Sequence, residues 1–420
     1  MVIIDEEHET SYKQYDPNPR YNGRDSGIML SHLFGAKCLL GSATPSVETY
    51  ANVVNGKYAY AEINERFGGI KMPEIQIVDM LTEKKQKRLN GIFSVTLLDE
   101  IKQTLANNEQ VILFLNRKGY VPITECADCS WTPMCTNCDI SLTYYKSSDK
   151  LRCHYCGYSR EPVARCVACG STHIIMAGYG TERVEDDLKL LLPEVPIGRF
   201  DYDTTRTKHS HQKIIHDFEE GAIKILIGTQ MIAKGLDFEK VRLVGILNAD
   251  QMLNFPDFRA SERAFQLMLQ VAGRAGRRDT LGKVLIQTNR IDHPVIHQVL
   301  EGNFKEFFTT EIAERQKFRY PPFFRLIKLT CRNKDFHLLQ KAADYLFLML
   351  QKGLGNQVMK PQFPPVGRIR NYYLKDILIR LDNDHREIAK TKHFIRAQIN
   401  HLNEMKEYKS IYIHADVDPY

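Results

Sequence analysis

The sequence predicts an α/β protein in which helices cover parallel sheets, with a cysteine-rich insert and a final α+β module. Three observations predict it. Short apolar runs alternate with amphipathic helical patterns, eight cysteines crowd into residues 126–169, and after about residue 300 strand-like and helical stretches follow one another differently. A parallel strand is buried on both faces and so reads as an unbroken apolar run, and its crossovers require intervening helices.

The runs Val2–Ile4, Cys38–Leu40, Val111–Leu115, Ile223–Ile227, Val241–Leu247 and Val284–Ile286 are predicted as buried strands. Val95–Leu105, Glu182–Leu192 and Phe258–Leu269 carry the helical repeat of apolar positions. Gly68, Gly69 and Pro73 mark a linker, and residues 120–178 lose the alternation. Beyond 300, strand-like Leu326–Thr330, helical Leu338–Gln351, strand-like Ile377–Leu381, helical Ile388–Leu402 and strand-like Ser410–Ile413 fit an α+β module, with a split βαβ arrangement in view. Expected boundaries are 1–66, 67–122, 123–178, 179–298 and 299–420. The first strand has no earlier strand beside it, so half a parallel sheet is expected there, with an open edge and exposed apolar surface.

Composition narrows the function classes. The 420 residues, 43% apolar and 26% charged, suit a globular chain of two to four domains. No apolar run approaches the ~18 residues of a membrane span, and the first residues lack the basic and apolar regions of a signal peptide. A net charge of +6 allows a nucleic-acid partner without demanding one.

The cysteines fall as Cys126/Cys129, Cys135/Cys138, Cys153/Cys156 and Cys166/Cys169, with Cys38 and Cys331 alone in apolar stretches. With no secretory signal, four such pairs read as metal binding in a reducing compartment, and a redox role is the alternative. Four thiolates close a tetrahedral structural zinc site, so eight make two. Five residues separate the first two pairs, and fourteen separate the second from the third, a familiar ribbon spacing. Nested pairing is therefore preferred, with the inner pairs sharing one zinc and the outer pairs another. Gly157 and Gly170 follow the last two pairs and suit a knuckle turn. His154 is surplus to two full sites. The insert holds few apolar residues, so zinc should supply much of its folding energy.

Other motifs point to nucleotide chemistry. Asp5-Glu6-Glu7-His8 ends a predicted strand, where carboxylates can hold magnesium and orient water. Gly41-Ser42-Ala43-Thr44-Pro45 ends the next strand. Gly228-Thr229-Gln230 leads to Lys234-Gly235-Leu236-Asp237, and Gln270–Arg277 places Arg274 and Arg277 three apart on one expected helix face. Arginine suits charge on a transferring phosphoryl group. Tyr12, Lys13, Tyr15, Arg20 and Tyr21 combine rings and cations, as contacts to single-stranded nucleic acid do. For Trp131, base stacking and packing over the metal remain equally open. For Arg315–Arg325, DNA contact and a basic face over a core both remain open.

These motifs, in this order, resemble motifs II, III, V and VI of superfamily 2 helicases, and more narrowly the PriA family of replication-restart helicases. Ile112–Tyr120, Gly180-Thr181-Glu182, Asp201–Thr205, Arg319-Tyr320-Pro321-Pro322 and the eight-cysteine insert carry the narrower resemblance. It implies a remnant of RecA-like helicase lobe 1 at 1–66, lobe 2 in two parts around the zinc insert, and the family's C-terminal domain. It implies the same nested zinc pairing. It also implies ATP with magnesium, held by Asp5 and Glu6, with Gly235 and Asp237 lining the nucleotide cleft. Gln270, Arg274 and Arg277 would read the γ-phosphate. Thr44, Thr229, Gln230 and Lys234 would link nucleotide to DNA, and an aromatic-rich loop would sense single-stranded DNA. The implied partners are forked and single-stranded DNA, primosome proteins, single-stranded-DNA-binding protein and the replicative helicase. The implied location is the bacterial cytoplasm, at the nucleoid. The phosphate-binding loop Gly-x-x-x-x-Gly-Lys-Ser/Thr, expected upstream of Asp5, is not in the sequence. The resemblance therefore covers a C-terminal half, and hydrolysis is expected of the parent protein rather than of this chain alone. A non-catalytic zinc-containing binding fragment is the alternative.

Overall fold

Valine, isoleucine and leucine dominate the four inner strands of the largest sheet, whose burial on both faces suits a parallel sheet covered by helices. The computed structural model describes residues 1–420 except 18, 64–71, 117–122, 130, 146–148, 154, 178–179, 203, 206, 234–235, 237, 256, 277–280, 384 and 420. It divides into two compact units. One comprises Gly56–Pro122 and Gly178–Glu311; the other comprises Met1–Asn55, Ile123–Ala177 and Ile312–Tyr420.

The first of these units is a RecA-like lobe. Its strands lie in the order Ile197–Phe200, Ile225–Gly228, Gln110–Phe114, Val241–Ile246, Lys283–Thr288 and Glu74–Asp79, all parallel. Every residue of Gln110–Phe114 and Ile225–Gly228 is buried. Helix Val95–Ala106 starts where the Ser94 hydroxyl accepts the Leu97 N–H, and it lays Leu97, Leu98 and Ile101 on Val111, Leu113 and Leu243. Thr181 donates its hydroxyl to Asp201, which joins two of the motifs that carried the family resemblance.

The second unit holds three pieces. Residues 1–55 form a two-stranded parallel sheet, Val2–Ile4 with Cys38–Leu40, and the helices Gly23–Leu33 and Val47–Val54. Ile3, Leu33 and Phe34 are largely exposed. Two buried ion pairs tie this piece to the C-terminal domain. Lys13 Nζ lies 2.9 Å from Asp416 and donates to the Val417 carbonyl at 2.8 Å, and the fully buried Arg315 lies 3.3 Å from Glu48.

The C-terminal domain is an antiparallel sheet in the order Arg368–Ile369, Tyr372–Asp382, Phe324–Asn333, Tyr412–Val417. Strands Tyr372–Asp382 and Tyr412–Val417 both oppose Phe324–Asn333 and are joined through helix His385–Glu404, which is a split βαβ unit. With helix Phe336–Leu354 they enclose a core that includes Leu329, Leu346, Ile377 and Leu402, with Cys331 buried in it. The cysteine-rich insert is a five-stranded antiparallel sheet built from short strands. Among the described residues no helix is long and apolar enough to cross a membrane.

Candidate metal centres and motif residues

Each Cys-x-x-Cys pair closes in the same way. The N–H of the first cysteine donates to the carbonyl five residues on: Cys126 to Trp131, Cys135 to Ile140, Cys153 to Tyr158 and Cys166 to Ser171, all at 2.8–2.9 Å. This turn points both sulfurs of a pair inward. At Gly157 and Gly170 it needs a left-handed φ of 77°. A Cβ at either glycine would meet nothing within 4 Å, so backbone conformation rather than space calls for glycine.

The pairs assemble as the nested reading expects. Cys126, Cys129, Cys166 and Cys169 form one cluster and Cys135, Cys138, Cys153 and Cys156 the other, with the sulfurs of each within 4.8 Å. Cys126–Cys169, Cys129–Cys166 and Cys135–Cys156 are 3.5–3.6 Å apart. Zinc with Zn–S bonds of about 2.3 Å sets tetrahedral sulfurs about 3.8 Å apart, so both clusters fit zinc with little movement. Backbone N–H groups of Asn137, Tyr158 and Cys169 point at Cys135, Cys156 and Cys166.

Sulfurs this close do not ionise alike. Burial raises Cys138 first, and Cys156 and Cys153 add to that, so it reaches about 12 although the Arg370 N–H pulls the other way. Burial also opposes ionisation of Cys156, yet the Tyr158 N–H and the neighbouring thiols bring it to about 7. In the outer cluster the Trp131 N–H draws Cys129 down, but Cys169, burial, Cys166 and Cys126 carry it up to about 12. Four thiolates therefore need a cation among them, and each cluster offers four donors and no open position, the pattern of a structural site.

The surroundings of the clusters differ. The inner one sits in an apolar pocket with Leu142, Leu151, Tyr158 and Ile369. The outer one exposes Cys129 and Cys169, and its ends are joined by Ser171 donating to Asp128, with His173 3.4 Å from the same carboxylate. Trp131 is half-buried, and its backbone closes the first knuckle.

The acidic motif divides between solvent and interior. Asp5 is exposed and Glu6 partly so, the latter at φ 48°. Glu7 is buried and accepts from Arg24, the Ser46 N–H and hydroxyl, and Thr49. His8 Nδ1 lies 2.7 Å from the Ser42 hydroxyl, which accepts the Thr44 N–H. The two motifs are thus joined by Glu7 and His8, which sequence reasoning left without a role. Of the aromatic loop, Tyr15 and Tyr21 are exposed, while the Tyr12 hydroxyl donates to the Asp5 carbonyl at 2.7 Å. Lys13 was expected on DNA, but its ammonium is inside the fold, on Asp416.

In the lobe, Thr229 is buried and Gln230 donates weakly to Asn116. Helix Ala260–Ala272 includes Gln270 and stops before Arg274, so Arg274 is not on the helix face that its spacing suggested. Gly273 caps the helix and Gly276 adopts φ 65°, which turns the chain away. The Arg274 guanidinium donates to the carbonyls of Ala233, at 2.6 Å, and Leu236, and so ties the two late motifs together. Lys234, Gly235, Asp237 and Arg277 lie outside the described residues.

Three family models match the chain. The PriA DNA helicase Cys-rich region domain matches residues 135–160, the helicase conserved C-terminal domain 168–279, and the primosomal protein N C-terminal domain 316–420. Relatives described as replication restart protein PriA include those of Bacillus subtilis (38% identical, 100% of this chain, 52% of the relative) and Haemophilus influenzae (39%, 90% and 52%). That of Treponema pallidum is 37% identical over 100% of this chain and 62% of its own length. The chain spans about half the length of most curated relatives it matches.

Proposed function

Since the chain belongs to the PriA family of replication restart proteins, we propose that it is the C-terminal half of an ATP-dependent 3′ to 5′ DNA helicase that acts at stalled or abandoned forks and helps reload the replicative helicase. One observation carries the reading: the cysteine-rich insert, the acidic motif and the C-terminal domain belong to a single compact unit. Fork-binding parts would thus share a body with Asp5 and Glu6.

Asp5 and Glu6 would hold the magnesium that neutralises ATP phosphates. Gln270, Arg274 and Arg277 would meet the phosphate charge, and Gly235 and Asp237 would lie beside the nucleotide. Glu7 and His8 would carry nucleotide state to Ser42 and Thr44. Thr44, Thr229, Gln230 and Lys234 would face the DNA track, and Tyr15 and Tyr21 would stack on bases. Trp131 would stack at the fork beside the outer zinc. The zinc ions are structural: they hold the insert folded and offer no open coordination position. Primosome proteins, single-stranded-DNA-binding protein and the replicative helicase would be partners, at the nucleoid.

The test compares fork binding with ATP turnover. The chain alone should bind forked DNA, with affinity falling steeply as salt rises, and should hydrolyse no ATP. Joining a phosphate-binding loop segment from a family member upstream should give fork-stimulated turnover, and Asp5→Asn should abolish it. Absence of fork binding, or turnover indifferent to Asp5→Asn, would overturn the reading. The second reading, a non-catalytic binding fragment, is favoured by the absence of a phosphate-binding loop sequence from these 420 residues. It predicts fork binding and no turnover even after the joining.

A further inference from the structure

The inner cysteine cluster does not end at the insert. The C-terminal strands Arg368–Ile369 and Tyr372–Asp382 are joined by the two-residue turn Arg370–Asn371. Both turn residues have positive φ, 51° and 63°, the geometry of a tight hairpin, usually supplied by Asn and Gly. An arginine held in that region must be fixed by its surroundings.

Those surroundings are the inner cluster. The Arg370 N–H donates to Cys138 Sγ at 3.2 Å. The Asn371 N–H donates to the Asn137 carbonyl at 2.7 Å, and the Asp139 N–H returns a bond to the Arg368 carbonyl at 2.9 Å. The Arg368 guanidinium meets Asp139 at 3.0 Å, and the Arg370 guanidinium donates to the Tyr155 carbonyl at 3.1 Å. Ile369 packs with Leu142, Leu151 and the inner cysteines. The hairpin thus grips both the second and third cysteine pairs. At the outer cluster the sulfur-directed N–H groups come from the insert itself.

We propose that the turn Arg370–Asn371 is part of the inner metal site, so that zinc occupancy of that site and docking of the C-terminal hairpin onto the insert are one linked equilibrium. The proposal rests on the zinc reading of the clusters. A donor aimed at a metal-bound thiolate stabilises its charge, and such outer partners typically change metal affinity about 10–100-fold. Linkage is reciprocal: whatever factor docking adds to zinc affinity, zinc adds to docking. The C-terminal domain thereby senses the inner site and not the outer one. Arg370 and Ile369 act as positioning residues, and neither is a ligand.

The experiment uses the whole chain, with zinc counted by elemental analysis, hydrogen exchange followed over residues 367–376, and zinc release to a chromogenic chelator. Two zincs per chain are expected. Cys153→Ser removes an inner ligand that the hairpin N–H does not touch. It should leave one zinc and speed exchange over 367–376 about tenfold or more, whereas Cys169→Ser should also leave one zinc but leave that exchange unchanged. To separate linkage from unfolding of the insert by Cys153→Ser, Ile369→Ser with Arg370→Pro, which has no N–H to give Cys138 and cannot adopt φ 51°, tests the reverse direction with every cysteine in place. One of the two zincs should then leave about 10–100-fold faster and the other at the wild-type rate. Equal exchange in both cysteine variants, or wild-type release of both zincs from the hairpin variant, overturns the linkage. A chain that binds no zinc overturns the metal reading itself.

Discussion

The two cysteine clusters are built on the same turn and differ in what encloses them. The outer one is bounded by Asp128, Ser171 and His173 and exposes two of its four sulfurs; the inner one is walled by Leu142, Leu151 and Ile369 and accepts a hydrogen bond from another domain. The coordination chemistry is identical, so the difference lies in what loss of the metal would expose. At the outer site water already reaches the ligands. At the inner site an apolar pocket and a domain contact would both come apart.

The strongest way to break this comparison is to remove one ligand from each site. A structural zinc is worth on the order of 10 kcal/mol of folding free energy, so each loss is large. Cys153→Ser, which keeps only the outer zinc, is expected to broaden the unfolding transition of the insert and lower its midpoint the further, read by near-ultraviolet circular dichroism. Cys169→Ser should lower its midpoint while keeping it cooperative, and matching transitions would mean that the two walls are equivalent.

A third joint in the same unit uses no metal. Lys13 and Asp416 are 2% and 4% exposed, so removing the lysine leaves the buried carboxylate with only the more distant Arg20, at 3.9 Å, as its counter-charge. Lys13→Met should destabilise the unit by up to about 3 kcal/mol in urea unfolding, the low end for a broken buried pair because Arg20 remains. Asp416→Asn added to it should recover part of the loss, and purely additive effects would show that the pair is not coupled.

Smaller changes sharpen the comparison. Gly157→Ala and Gly170→Ala each force an L-residue to φ 77°, at about 1–2 kcal/mol. Neither new methyl meets a neighbour, so zinc release should quicken equally at the two sites, and unequal effects would reveal a difference in the turns themselves. Last, Arg368→Ala deletes a partly exposed pair with Asp139. At most about 1 kcal/mol is expected, confined to the inner site, and an equal effect on the outer zinc would contradict that placement.

Much of this was legible in the sequence for identifiable reasons. Strands buried on both faces are almost wholly apolar, so the run at 111–115 gave itself away, as did 241–247 with Arg242 as its one charged residue. Cysteine spacing limited the pairing because a ribbon needs room between its pairs. What stayed hidden depended on partners far along the chain. Glu7 and His8 looked like the rest of an acidic turn, and only the arrival of Ser42 and Ser46 makes them a bridge. Arg274 was misplaced because helical spacing was carried through Gly273, where the helix ends. Lys13 among tyrosines reads as a nucleic-acid contact until Asp416 is seen beneath it. The hairpin at Arg370–Asn371 lacks the usual glycine, so no turn signal pointed to it.

The Lys13 anchor also sets an order of events during synthesis. Its carbonyl acceptor, Val417, lies 404 positions later. At the ~5–20 residues per second of translation, that acceptor is made about 20–80 s after the lysine. Throughout that interval the loop carrying Tyr12, Tyr15 and Tyr21 has no C-terminal strand to hold its base. The nascent chain must keep a cationic, aromatic segment from straying until the strand Tyr412–Val417 emerges, so the loop proposed above to meet DNA is secured only then.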